Sequence, residues 1–276
     1  MTNAAAVNAA LARFKAARPA QPSDFQLGAI RGALASLGDP QKDMGKIVHI
    51  TGTNGKGSTA QFVRAMGEAA GLRVNVFTSP HLIRVNERIR LDGELVSDDA
   101  LADALNRVAQ ADAGLSYFEA LTAAAYLLFA ENEPELSVIE VGAGGAGDAT
   151  SVIDDAAVCV ITPISRDHET MFGVSGEAAI ARLKAGILRD DRPAVIAEQT
   201  AIAQAVLLEE ARWRGAKPFA AGRNWAARWD GDAFVYEGET LNARAPWLGI
   251  AGRVQAQNAG TACAVIEQLA DPRFTD

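Results

Sequence analysis

A glycine-rich segment between a β-branched run and a predicted helix constrains the fold of this chain more than any other feature. The run covers residues 47–50, the segment TGTNGKGS covers 51–58, and the helix is predicted over 58–70. Glycines in such a turn allow backbone N–H groups to converge on an anion at the N-terminus of the helix. The segment therefore predicts a phosphate-binding loop, with an α/β fold around it.

Two side chains of this segment suit a nucleotide with magnesium. Lys56 supplies a positive charge for the β and γ phosphates, and the hydroxyl of Ser58 can bind magnesium. The spacing differs from that of the common P-loop, because Gly57 separates the lysine from the hydroxyl. The alternative interpretation is a glycine-rich turn that binds nothing. We predict ATP and Mg²⁺ as cofactors, and the predicted nucleotide-binding residues of the loop are Thr53, Asn54, Gly55, Lys56, Gly57 and Ser58.

Apolar runs and helical patterns alternate along the rest of the chain. Four runs lack the polar alternation of half-buried strands, which is typical of buried parallel strands. They cover residues 74–77, 136–141, 158–161 and 194–197. The predicted helices that separate them cover residues 98–110, 118–131, 176–188 and 201–214. This alternation predicts a doubly wound, mostly parallel sheet with helices on both faces.

The two ends of the chain have a different pattern. Residues 1–45 are predicted to form an N-terminal helical extension, with a helix over 26–37. Residues 46–270 are predicted to form a central ATP-binding domain. Within that domain, acidic turns with glycine divide residues 225–241 into short β-rich pieces, which predicts a small antiparallel appendage. A last helix is predicted over 254–269.

The net charge limits the partners of the protein. The chain carries 26 Lys and Arg against 34 Asp and Glu, a net charge of -8, which disfavours a general surface for nucleic acid or acidic membranes. Two cysteines are too few for a disulfide framework or a four-thiolate metal site. No apolar stretch long enough for a signal peptide or a membrane span follows the first residues. We expect a cytoplasmic monomer with no nucleic-acid or membrane partner.

Three further motifs follow one another in the order of a known family. The sequence reads GTNGKGS at 52–58, TSPHL at 78–82 and VNERI at 85–89. These motifs resemble those of the folylpolyglutamate synthase and dihydrofolate synthase family, within the Mur ligase superfamily. Shorter matches continue the resemblance over most of residues 25–270. They lie at 118–119, 140–142, 144–145, 148–150, 167–168 and 184–187.

The resemblance implies a metal-dependent site at one edge of the sheet. Glu140 closes a predicted strand, so its carboxylate should emerge beside the phosphate loop, where the family has a magnesium ligand. By itself, a glutamate at a strand end is more often solvated or a cap. The resemblance also implies a second magnesium, held by His168 and by Lys184 carbamylated with carbon dioxide. Together with Lys56, these two residues are the predicted catalytic residues, and Asn258 is a predicted ATP contact.

The resemblance further implies the substrate. Relatives in this family add glutamate to dihydropteroate or a folate, through an acyl phosphate made from ATP. A loop after the second strand covers the substrate cleft in these enzymes, and an aromatic ring and a carboxylate contact the pterin. The corresponding predicted substrate residues are Ser79, Pro80, His81, Arg88, Phe118 and Asp148.

The sequence departs from the family pattern at several positions. Ala146 and Gly147 replace the usual arginine and leucine, and Pro163 and Arg166 replace asparagine and leucine. The family's C-terminal domain would lie beyond Asp276, so we expect part of a longer protein or a protein that works without that domain. Two alternatives therefore stay open, which are a ligase acting on a different carboxylic acid and an ATP-binding module without ligase activity.

Overall fold

An eight-stranded sheet and a separate three-stranded sheet form the framework of the protein. The computed structural model describes residues 3–17, 26–111, 114–165 and 173–274. In chain order, the strands of the large sheet are β1 Lys46–Thr51, β2 Val74–Phe77, β3 Ile89–Leu91, β4 Glu94–Leu95, β5 Leu136–Glu140, β6 Val158–Ile161, β7 Pro193–Ile196 and β8 Lys217–Ala220. The small sheet consists of β9 Ala226–Asp230, β10 Ala233–Glu237 and β11 Asn242–Ala245.

Helices connect most of these strands. The α-helices within the described residues are α1 Ala4–Ala17, α2 Gly28–Ser36, α3 Lys56–Ala69, α4 Asp98–Gln110, α5 Tyr117–Asn132, α6 Glu177–Ala185, α7 Ala201–Trp213 and α8 Gln255–Leu269. No helix among the described residues is both long and apolar enough to cross a membrane.

The strand order of the large sheet is β4-β3-β2-β5-β1-β6-β7-β8. All pairs from β2 to β8 are parallel, whereas β3 and β4 run antiparallel at one edge. Strands β2 and β5, which follow β1 in the chain, lie on one side of β1, and β6 lies on its other side. The carboxyl end of β1 is therefore the switch point at which ligands bind in doubly wound folds. The predicted fold class is confirmed.

Two hydrophobic cores cover the two faces of the sheet, because successive strand side chains point to opposite faces. Val48 and Ile50 pack into the core that contains α3, α8 and the small sheet. Ile47 belongs to the other core, which holds the remaining helices. The buried side chains of α1 join that second core at Val7 and Phe14. Thus the helical N-terminal residues pack onto the sheet domain through α4 and α5.

The structure corrects several predicted boundaries. Helix α3 begins at Lys56 rather than Ser58, and the small sheet continues to Ala245 rather than ending at 241. Strands β3 and β4 were not predicted, because each is too short to give a periodic pattern. A turn with positive φ at Asp92 and Gly93 joins them into a hairpin. Strand β8 was not predicted either. It contains Pro218, which the edge of a sheet tolerates because an edge strand needs fewer N–H donors.

His49 lies in the middle of β1 and is fully buried. Its Nε2 lies 3.0 Å from the hydroxyl of Thr150, and that hydroxyl donates to Asp148 Oδ1 at 2.6 Å. Because the hydroxyl hydrogen points towards Asp148, the imidazole must donate from Nε2, which is consistent with its neutral form. Burial, with a smaller contribution from the positive charge of Arg189, lowers the pKa of His49 to about 3.

We expect His49 to make folding stability depend on pH. An exposed histidine has a pKa of about 6.5, so below that pH the unfolded chain binds a proton at His49 that the folded chain excludes. Stability is then lost as pH falls from about 6.5 towards 3. The variant His49→Gln should reduce the slope of unfolding free energy against pH by up to about 1.4 kcal/mol per pH unit. Urea unfolding at about pH 5.0, 5.5 and 6.0 measures this slope, and the difference between variant and wild type removes the contribution that the carboxylates make to both proteins.

The matched control is His81→Gln, because His81 is only partly buried. That variant retains His49 and should keep most of the wild-type slope. Identical slopes in the wild type and in His49→Gln would contradict the prediction.

Candidate functional site

The phosphate loop folds against the segment that follows β6. The backbone N–H groups of Thr53 and Asn54 donate to the carbonyl oxygen of Pro163 at 3.0 and 3.1 Å. These two amides therefore support the loop instead of pointing towards an anion. Gly55 is the N-cap residue before α3 and has a φ of 84°, a left-handed conformation that glycine adopts without strain. The N–H groups in the first turn of α3, from Lys56 onwards, have no intrahelical acceptors and suit a phosphate.

Close contacts explain two of the loop glycines. A Cβ atom on Gly52 would overlap the hydroxyl oxygen of Thr162, and one on Gly55 would overlap Oδ1 of Asn258. The carboxamide of Asn258 is held in place because its Nδ2 donates to Gln255 Oε1 at 2.9 Å. The N-terminus of α8 therefore lies directly against the phosphate loop, and the structure brings Asn258 to the predicted nucleotide site.

Glu140 and Lys56 face each other beside this loop. Glu140 is the last residue of β5, next to β1, and Oε1 of its nearly buried side chain lies 3.9 Å from Lys56 Nζ. Oε2 accepts the N–H of Ser79 at 3.2 Å, and a Cβ on Gly57 would lie 3.5 Å from it. Burial raises the pKa of Glu140 to about 7, although Lys56, the Ser79 amide and Arg88 each lower it.

These residues fit a magnesium ion that also binds nucleotide phosphates. A buried carboxylate with few hydrogen bonds is poorly compensated, so a divalent cation would stabilise its ionised form. Ser58, in the first turn of α3, is partly exposed and directly follows Gly57. The described residues contain no cluster of three His, Cys, Asp or Glu side chains. Magnesium does not require one, because it keeps several waters and takes one or two carboxylates with substrate phosphates.

Of the predicted catalytic residues Lys184 and His168, the structure describes only Lys184. Lys184, on α6, is 6% exposed, and its Nζ donates to the carbonyl oxygen of Gly52 at 2.7 Å. Its side chain thus reaches the phosphate loop, and its carbamylation and its role at a second magnesium stay predictions. His168 lies outside the described residues, so the second metal site also stays a prediction.

The predicted substrate loop begins beside Glu140. The Ser79–Pro80 peptide bond is cis, and Pro80 is exposed. Arg88 Nε donates to His81 Nδ1 at 2.8 Å, which fixes the ring of His81 with Nδ1 as an acceptor. The structure therefore places Ser79, His81 and Arg88 together at the edge of the sheet that holds the phosphate loop.

Glu87 holds the tip of this loop in one conformation, a role that the sequence motif did not reveal. Its carboxylate accepts the backbone N–H groups of Leu82, Ile83 and Arg84 at 2.7 to 3.0 Å. These backbone hydrogen bonds lower the pKa of Glu87. Asn86 anchors the base of the loop by donating to Val96 O at 2.9 Å. The sequence signal for this role is the position of Glu87, four and five residues after Ile83 and Leu82 in a short loop, where a carboxylate can accept successive backbone N–H groups.

Phe118 and Asp148 meet at Gly142. A Cβ on Gly142 would overlap the ring of Phe118 and lie 3.1 Å from Asp148 Oδ2. The carboxylate of Asp148 is buried and accepts from the Ala143 amide at 2.9 Å and from the amide and hydroxyl of Thr150. Burial raises its pKa, and these hydrogen bonds lower it. Asp148 thus supports the turn after β5 beside Phe118, and its contact with a pterin stays a prediction.

Comparisons with known proteins agree with this geometry. The Mur ligase middle domain family matches residues 50–266. The folylpolyglutamate synthase of Lacticaseibacillus casei is 39% identical over 211 residues, which cover 73% of this chain and 47% of the relative. The chain thus spans about half the length of the curated relatives that it matches.

Solved structures are similar over nearly the whole chain. Escherichia coli FolC in complex with DHPP and ADP has a TM-score of 0.88 at 29% identity, covering 96% of this chain and 62% of that protein. A bifunctional folylpolyglutamate synthase/dihydrofolate synthase with Mn, AMPPNP and L-glutamate bound has a TM-score of 0.84 at 30% identity. The similar region covers 96% of this chain and 63% of that protein. The chain therefore belongs to the Mur ligase middle domain family, and its relatives there are folylpolyglutamate and dihydrofolate synthases, as the sequence motifs predicted.

Proposed function

We propose that this chain forms the ATP-binding part of a ligase that joins glutamate to the carboxylate of dihydropteroate or a folate. One observation carries the proposal. The buried carboxylate of Glu140 faces Lys56 at the N-terminus of α3, and the same carboxylate accepts the amide of Ser79 from the predicted substrate loop. This contact would bring an acid held by the predicted substrate loop close to a nucleotide held by the phosphate loop, and such proximity favours transfer between two bound substrates. The Mn, AMPPNP, ADP and L-glutamate held by similar proteins support the same function.

The proposed reaction has two steps. An oxygen of the acid's carboxylate attacks the γ-phosphorus of ATP, the bond to the β-phosphate oxygen breaks, and ADP leaves. The amine of glutamate then attacks the carbonyl carbon of the acyl phosphate, inorganic phosphate leaves, and the amine loses a proton. The amides in the first turn of α3 would hold the phosphates during the first step.

A few residues would neutralise the negative charge of the nucleotide phosphates. Lys56 is close enough to the loop to donate to Thr53 O at 3.4 Å, so a small movement of its ammonium would reach a phosphate oxygen. Glu140 and Ser58 would hold magnesium, which offsets the negative charge on the transferring phosphoryl group. We further propose that His168 and carbamylated Lys184 hold a second magnesium. The contact of Lys184 with Gly52 O supports a position near the phosphates.

The substrate residues would act on the other side of Glu140. Ser79, His81 and Arg88 supply donors near the acid's carboxylate, and Arg88 is charged at all physiological pH values. Phe118, packed 5.9 Å from the ring centre of Phe77, offers an aromatic face for a flat heterocycle.

Two other functions would use the same fold. A ligase for a different carboxylic acid is favoured by Ala146 and Gly147, where the family usually has arginine and leucine. An ATP-binding module without ligase activity would need only the phosphate loop. The similarity to folate enzymes favours the first proposal over both. The net charge of -8 supports small-molecule partners rather than nucleic acid, and we propose a cytoplasmic monomer.

A substrate panel tests the proposed ligase. We expect ADP release that requires both L-glutamate and either dihydropteroate or a folate, with the glutamylated product identified by mass spectrometry. The assay should use this chain and, if its gene encodes residues past 276, the full-length product as well. Turnover with an unrelated acid alone would favour the second function. Mg-ATP binding without turnover in the full-length protein would favour the third.

Replacing Lys56 tests the nucleotide site. We expect Lys56→Ala to raise the Kd for Mg-ATP by about tenfold or more, because a charge-assisted hydrogen bond to phosphate is lost. Isothermal titration calorimetry measures the change. Lys46→Ala is the matched control, since Lys46 lies at the opposite end of β1. Unchanged affinity in the Lys56 variant would contradict the predicted phosphate site.

Replacing Glu140 tests the metal site. We expect Glu140→Gln to reduce by about tenfold the gain in ATP affinity that magnesium provides, because the anionic ligand is lost. In the wild type this gain should also fall as pH drops through about 7, where Glu140 takes up a proton that competes with the metal. Glu135→Gln, just before the start of β5, is the control at the opposite edge of the sheet. An equal magnesium effect in all three proteins would show that Glu140 is not a ligand.

A further inference from the structure

The side chain of Gln199 spans the segment that follows β6. Gln199 lies shortly after β7, at the edge of the sheet that carries the phosphate loop. Its Oε1 accepts the N–H of Ile164 at 3.0 Å, and its Nε2 donates to the carbonyl oxygen of Thr162 at 3.1 Å. A carboxamide has a donor and an acceptor side, as a peptide group does. Gln199 therefore extends the pairing of β6 and β7 beyond the last paired strand residues.

The segment that Gln199 clamps is the one that supports the phosphate loop. Pro163 lies between the two residues that Gln199 contacts, and its carbonyl oxygen accepts the amides of Thr53 and Asn54. The next residue, Ser165, adds a pair of bonds to Thr53. Thr53 Oγ1 donates to Ser165 O at 3.1 Å and accepts the Ser165 N–H at 3.2 Å. The carbonyl of Pro163 thus lies between Gln199 on one side and the phosphate loop on the other.

Proline makes this arrangement sensitive to its neighbours. Pro163 has no N–H, so it cannot anchor its own position by donating a hydrogen bond. The direction of its carbonyl depends on the peptides on either side, and Gln199 bonds to both of them. The hydroxyl of Thr162 donates to Thr51 O at 3.2 Å, which fixes only the residue that precedes Pro163.

We propose that Gln199 is a positioning residue for the phosphate loop. It holds the Pro163 carbonyl in the direction that receives the Thr53 and Asn54 amides, and so aligns the first turn of α3 before a nucleotide binds. Gln199 acts on the phosphates through Pro163 and need not touch them. The inference rests on the proposed function, because it assumes that this loop binds the phosphates of ATP.

A neighbouring glutamine provides a matched control. Gln204 lies on the first turns of α7 and borders the same cavity as Gln199. Its Nε2 donates to Ala221 O at 3.4 Å, a contact with the end of β8 rather than with the phosphate loop. The same substitution can therefore be made at two glutamines that differ in the segment they hold.

The experiment compares Gln199→Leu with Gln204→Leu and the wild type. Leucine has nearly the size of glutamine and cannot form either hydrogen bond. We expect Gln199→Leu to raise the Kd for Mg-ATP by about tenfold, in line with the loss of two hydrogen bonds, and Gln204→Leu to stay within about twofold of the wild type. Amide hydrogen exchange in the free proteins should accelerate at Thr53 and Asn54 only in the Gln199 variant. This local change would not follow from a general loss of stability, which thermal unfolding of both variants measures.

The outcomes separate this inference from the proposed function. Wild-type affinity and wild-type exchange in Gln199→Leu would overturn the inference while leaving the ATP site intact. If the wild type binds no Mg-ATP, the proposed function fails, and the exchange rates alone decide whether Gln199 positions the loop. If Gln199→Leu does not fold, Gln199→Glu replaces it, because glutamate retains the acceptor for Ile164 and loses the donor to Thr162. That variant should change affinity and exchange in the same direction, and unchanged values would again overturn the inference.

Discussion

The site depends on one contact between the ends of two adjacent parallel strands, in which the Pro163 carbonyl accepts the amides of Thr53 and Asn54. Strands β1 and β6 are hydrogen-bonded neighbours, so the segments that follow them leave the sheet at the same edge. A glycine-rich loop has large conformational freedom, and ordering it costs free energy. The contact with Pro163 pays this cost during folding, so that a nucleotide would meet a loop whose amides are already aligned.

Three other elements surround this ordered loop and contribute a polar side chain and two charged ones. The N-terminus of α8 contributes Asn258 against Gly55, α6 contributes Lys184 on Gly52 O, and β5 ends in Glu140. Glu140 is buried, and its partners are the Ser79 amide and a lysine 3.9 Å away, so burial raises its pKa to about 7. Buried charges with incomplete partners are costly in the free protein and are well suited to receive oppositely charged ligands. A cation and phosphates bound there would therefore stabilise the arrangement.

The substrate loop is held by bonds that do not involve the phosphate loop. The carboxylate of Glu87 accepts three successive amides, while Leu82 and Ile83 at the tip are 93% and 86% exposed. Because this loop is already braced, a flat ligand that bound there would require no reordering of it, which would lower the entropy cost of binding. The amide of Ser79 on Glu140 joins this loop to the phosphate site.

The sequence alone determined the fold class and the family, and it predicted most residues of the candidate site. The order of strand, glycine-rich turn and helix around Lys56 specifies a local structure, and unbroken apolar runs such as 158–161 specify buried parallel strands. It missed β8 and the β3–β4 hairpin, because short edge strands carry little periodic signal. Only the tertiary structure decided which loop amides are already bonded, which residues fix Pro163, and that Asp148 is held by its own turn. The contacts of the loop amides and of Pro163 join segments that are 35 or more positions apart, as Gln199 with Ile164 and Thr53 with Ser165 show, and a local pattern contains no information about partners that only the packed sheet brings together.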